Sequence, residues 1–83
     1  MDIREQITSR IKNTYAEAEI TLTDMTGTND HWEAIIVAPE FEGMSRLQRQ
    51  RGVYAALGEL MSGPIHALTF RTLTPEQFKA ENP

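Results

Sequence analysis

The sequence predicts a single α+β domain with the element order α-β-β-α-β-α and a three-stranded mixed sheet carrying its helices on one face. Three observations lead there. Apolar residues recur at helical spacing in two stretches and alternate with polar ones between them. Helix-capping residues and Gly or Pro breakers fall between those stretches. The 83 residues leave room for one hydrophobic core, so residues 1–83 are expected to form one domain.

In the first stretch Ile3, Ile7, Ile11 and Tyr15 lie four apart among charged residues, the pattern of an amphipathic helix. From Glu17 the pattern becomes alternation, with Ile20 and Leu22 separated by Thr21, as in a half-buried strand. The turn formers of 26–30, Gly27, Asn29 and Asp30 among them, predict a hairpin tip. The return strand spans 31–38, is rich in β-branched residues and is closed by Pro39.

Ser45 with Gln48 three residues later forms a capping box and opens the second helix. Its expected apolar stripe is Leu47, Tyr54, Leu57 and Met61, widened by Val53 and Leu60, with Ser62-Gly63-Pro64 as the stop. Gly52 and Gly58 each weaken a helix by about 1 kcal/mol relative to Ala, which suggests close packing at both. A third strand is expected over 65–72. Thr74-Pro75-Glu76-Gln77 is a second capping box, with Pro at the first helical position of a short last helix. The first two strands should pair antiparallel, and the third, reached by a helical crossover, parallel to one of them. The second face of the sheet is left open.

With no cysteine in the chain, thiolate catalysis, disulfides and Cys-based zinc sites are excluded, leaving imidazole and carboxylate as metal ligands. The first residues, Met1-Asp2-Ile3-Arg4-Glu5, lack the pattern of a secretory leader. The longest apolar run, 34–39, is far short of the roughly 20 residues of a membrane helix. A cytoplasmic protein with no membrane association is expected. The net charge of −4 argues against indiscriminate coating of nucleic acid.

Three groups of residues carry candidate chemistry. Arg46, Arg49 and Arg51 lie in a segment free of acidic residues from Gly43 to Gly58, giving a basic strip on an acidic chain. Such a strip serves either as a solvated helix face or as a contact for phosphates or an acidic partner, because guanidinium matches both oxyanions. His31 and His66 open the second and third strands. Read singly, each is an edge residue. Together they are candidate ligands that make half a site, because a closed metal site takes four. No Ser-His-Asp or HExxH spacing occurs, Ser45 is explained as a cap, and Glu40 and Glu42 around Phe41 read as solvated. Trp32, Phe41, Tyr54, Phe70 and Phe78 read as core. The chain is therefore expected not to be an enzyme.

The segments 41–57, Ile65-His66-Ala67-Leu68-Thr69 and Thr72-Leu73-Thr74-Pro75-Glu76-Gln77-Phe78 together resemble the BolA family in order and spacing. The resemblance implies a fold similar to the type II KH domain. It also implies an adaptor that pairs with a monothiol, CGFS-type glutaredoxin as a heterodimer and shares a bridging [2Fe-2S] cluster with it and with glutathione. The isolated protein is expected to be a monomer without a cofactor. By the same resemblance the ligand from this chain is His66, and His31 is the nearest candidate for a second one, since the hairpin loop has no Cys. A second association of the family is DNA binding in transcriptional control, which would fall on Arg46, Arg49 and Arg51. The GXXG loop by which KH domains clamp nucleic acid does not occur in this sequence.

Overall fold

The computed structural model describes residues 2–27, 31–63, 65 and 67–82. Its elements are α1 (Ile3–Thr14), β1 (Glu19–Asp24), β2 (His31–Val37), α2 (Arg46–Leu57), β3 (Ala67–Leu73) and α3 (Pro75–Glu81), with 3-10 turns at Pro39–Phe41 and Gly58–Ser62. The α-β-β-α-β-α order matches the expectation from sequence.

The sheet order is β1-β2-β3. β1 runs antiparallel to β2, and β3 runs parallel to it. The register sets Ile20, Ile36 and Thr72 in one row and Leu22, Ala34 and Phe70 in the next. That face meets the helices: Trp32, Ala34 and Ile36 are buried with Ile7 and Ile11 of α1 and Val53 and Leu57 of α2. On the opposite face Thr21, Thr23, Glu33, Thr69 and Arg71 are exposed, so one side of the sheet stays largely open.

Of the predicted stripe α1 buries Ile7 and Ile11, with Ile3 half-buried and Tyr15 buried just past its end, and Asp2 caps it by accepting the Glu5 N–H at 2.9 Å. In the hairpin the Asp24 carboxylate accepts the N–H of Gly27, which sits at φ 77°, a conformation glycine adopts without strain. The rest of the predicted tip, 28–30, lies outside the described residues.

The second helix departs from expectation in two ways. It ends at Leu57, because Gly58 takes φ 52° and its N–H turns back to the Tyr54 carbonyl. The predicted stop at Ser62-Gly63 therefore ends a 3-10 turn instead, and Pro64 is outside the described residues. Its buried face also differs in part: Val53, Leu57 and Leu60 are buried as expected, but Arg49 is buried with them, while Leu47 and Tyr54 are exposed. Gly52 explains part of this rotation. A Cβ at that position would overlap the Tyr15 hydroxyl, so the helix lies against Tyr15 at its glycine.

Of the aromatics, Trp32 and Phe41 are core and Phe70 is half-buried, whereas Phe78 and Tyr54 are exposed. Tyr54 still packs edge-on against Phe70, with ring centroids 5.2 Å apart. Glu40 is not the solvated carboxylate expected: it is half-buried and accepts the Glu17 N–H at 3.1 Å. Ile65 is buried ahead of β3, which begins two residues later than expected.

Candidate functional site

The candidate ligand His66 lies outside the described residues. His31 opens β2, is half-buried, and its carbonyl accepts the Met25 N–H at 2.8 Å across the hairpin. The parallel register pairs His31 with Ala67, the residue that follows His66 in the chain. Around His31, among the described residues, no three His, Asp or Glu side chains gather closely enough to hold a metal ion. With no thiol in the chain, the donor set fits a contribution of one or two imidazoles to a shared centre and does not fit a closed site of the chain's own.

The three arginines of α2 separate. Arg46 and Arg51 are exposed, but Arg49 is only 9% exposed. Its Nε donates to the Met44 carbonyl at 3.2 Å, and its Nη1 to the Thr72 carbonyl at 3.3 Å and to Gln77 Oε1 at 2.9 Å. The Phe41 ring lies 5.6 Å from the guanidinium carbon. Arg49 thus joins α2 to the end of β3 and the cap of α3. This burial corrects the expectation that it reaches outward to a partner or to DNA, because its Nε and Nη1 donate to oxygens inside the domain.

Arg71 takes the place that Arg49 vacates. It lies on β3, at the free edge of the sheet, and with Arg46 lines a hollow of about 190 Å³ completed by Gln50, Phe70, Thr72 and Leu73. A wider hollow beside it shares Arg46, Arg71, Thr72 and Leu73 and adds Arg49, Gln77 and Glu81. Arg71 pairs with Glu81 at 2.9 Å, both side chains being about half exposed. Arg71 lies on a strand, outside the basic run of α2, so no cluster of like charge in the sequence marks it. The signal available was the capping box that follows β3, which starts α3 directly beyond Arg71.

No described helix is long and apolar enough to cross a membrane. Burial, together with the charge of Glu40, raises the Tyr15 phenol above its ordinary value of 10.0.

Comparison with known proteins agrees with this architecture. A BolA-like protein from Babesia bovis superposes with TM-score 0.83 at 32% identity, covering 100% of this chain and 96% of that one. A BolA homologue from Coxiella burnetii gives TM-score 0.77 at 34% identity, covering 95% and 99%. In sequence the chain is 49% identical over 57 residues to BolA-like protein 1 of Bos taurus, 69% of this chain and 42% of that protein. It is 36% identical over 56 residues to the DNA-binding transcriptional regulator BolA of Haemophilus influenzae, 68% of this chain and 54% of that one. The chain thus spans about half or less of the length of these two relatives. The family model for BolA-like protein matches residues 5–77, and the chain belongs to the BolA-like protein family.

Proposed function

We propose that this chain is a non-enzymatic adaptor that pairs with a monothiol CGFS-type glutaredoxin and completes the ligand set of a bridging [2Fe-2S] cluster, in cluster assembly, transfer or iron sensing. His66 is its ligand in this reading and His31 the candidate for a second. The observation that carries the reading is the pairing of His31 with Ala67, the neighbour of His66, in a chain with no thiol. A chain that offers at most two imidazoles and no thiol suits a centre whose remaining ligands, a glutaredoxin cysteine and a glutathione thiol, come from outside. Imidazole in place of thiolate raises a cluster's potential.

The test is reconstitution with a CGFS glutaredoxin, glutathione, iron and sulfide. A heterodimer should form whose visible absorption differs from that of the glutaredoxin homodimer. The same spectrum from wild type and His66→Ala would remove His66 as the ligand.

A second reading, a DNA-binding regulator, is favoured by the name of the Haemophilus relative and by the exposure of Arg46 and Arg51. Its mark is salt. Affinity for duplex DNA should fall steeply with ionic strength, and the slope should shrink by about one when either arginine is removed. Affinity indifferent to both would end it.

A further inference from the structure

The groove between the start of α2 and the free edge of β3 is positively charged in a protein of net charge −4. Three arginines line it, Arg46, Arg49 and Arg71, against one acidic residue, Glu81. Glu81 pairs with Arg71 at the exposed rim. Arg49 at the wall has no carboxylate partner among the described residues: its three hydrogen bonds all go to carbonyl oxygens. Those bonds fix the guanidinium but leave its charge unneutralised in a nearly buried position, where an anion brought alongside is screened less than at an open surface.

We propose that this groove binds a phosphate oxyanion, as free phosphate or as a phosphate monoester. Arg46 and Arg71 supply the forked donors that match such an ion, and Arg49 supplies fixed charge behind them. Gln50 and Thr72 add neutral donors to the inner hollow. The donor count exceeds what the two oxygens of a carboxylate accept, and a phosphate monoester offers three. Glu81 acts as an internal competitor: it occupies Arg71 in the free protein and must yield part of that contact to an incoming anion. The site is independent of the histidine end of the sheet and of any cluster.

The test is titration of the isolated protein with inorganic phosphate and, separately, with phosphoserine, followed by amide and arginine side-chain NMR shifts at constant ionic strength held with chloride. Saturable shifts centred on Arg46, Gln50 and Arg71 are expected. Arg46→Ala or Arg71→Ala should weaken binding roughly tenfold, the loss of one charge-assisted hydrogen bond. Both residues are exposed, so these variants keep the fold. Glu81→Gln should strengthen binding, and Lys12→Ala, which removes a charge outside the groove, should leave it unchanged. Tighter binding of phosphoserine would identify a phosphorylated side chain as the ligand, and equal affinity the free ion. A linear, unsaturating response, or equal weakening by Lys12→Ala and Arg71→Ala, would overturn the proposal.

Discussion

Gln77 Oε1 accepts two hydrogen bonds, one from Arg49 Nη1 and one from the Thr74 backbone N–H, each 2.9 Å long, so the side chain that closes the capping box of α3 also anchors a buried arginine of α2. The second half of the box, Gln77 N–H to Thr74 Oγ1, is 3.1 Å. Two helices that are distant in sequence are therefore joined through one amide oxygen.

Arg49 is accordingly a stability residue. Arg49→Ala removes three hydrogen bonds, leaves the Met44 and Thr72 carbonyls to find water, and opens space beside Phe41. A loss of about 3 kcal/mol is expected in urea unfolding. Arg49→Lys should recover only part of it, because an ammonium cannot reach three acceptors in the geometry of the guanidinium fork. A loss below roughly 0.5 kcal/mol for Arg49→Ala, the ordinary range of surface substitutions, would contradict this role.

Gly52 and Tyr15 form a second coupled pair. Tyr15 cannot swing aside easily, since its ring is 6% exposed and packs edge-on against Phe41 with centroids 4.9 Å apart. Gly52→Ala should thus destabilise by about 1–3 kcal/mol through overpacking, despite the gain of about 1 kcal/mol in helix propensity. In a Tyr15→Phe background the overlap with the hydroxyl is gone, and the cost of Gly52→Ala should shrink. Additive effects in a double-mutant cycle would show that the two do not touch.

Tyr15 also sets an alkaline limit. Its phenol is raised by burial first and by the Glu40 carboxylate second. Between the ordinary value of 10.0 and the raised native value, the unfolded chain has released this proton while the native chain keeps it. Stability should therefore be unaffected below pH 10.0, fall as pH rises above it, and level off once the native phenol ionises. Tyr15→Phe should flatten that fall, and Glu40→Gln should narrow the window in which it occurs. Denaturant unfolding at a series of alkaline pH values measures both, and an equally steep decline in Tyr15→Phe would assign it to another group.

The two capping boxes should differ in weight. Ser45 caps α2 at an exposed position, and Ser45→Ala should cost about 1 kcal/mol. Thr74 is 7% exposed and its box shares Gln77 with Arg49, so Thr74→Ala should cost more, toward about 2 kcal/mol. Thermal unfolding of the two variants gives the order, and the reverse order would uncouple α3 from α2.

Much of the fold was legible because its signals are local. The caps at Ser45 and Thr74, the Ile3-Ile7-Ile11-Tyr15 stripe and the alternation around Ile20 and Leu22 each act within a few residues, and all are found where expected. The face of α2 was not legible, because it depends on partners far away. Leu47 is apolar yet exposed, and Arg49 is charged yet buried, for reasons that lie in Phe41, Thr72 and Gln77. The solvation expected of Glu40 fails for the same kind of reason, its partner being the Glu17 backbone. At the candidate site the pairing of the two strand starts follows from the expected crossover, whereas the place of Arg71 depends on β3 lying at the sheet edge.

The central claim, that this chain donates imidazole nitrogen to a shared cluster, is tested most directly by pulsed electron paramagnetic resonance of the reduced heterodimer, with isotope-labelled histidine in this chain only. Hyperfine coupling to the labelled nitrogen is predicted for wild type, retained at least in part in His31→Ala and lost in His66→Ala. A reduced cluster in the wild-type heterodimer with no coupling to labelled nitrogen would contradict the account.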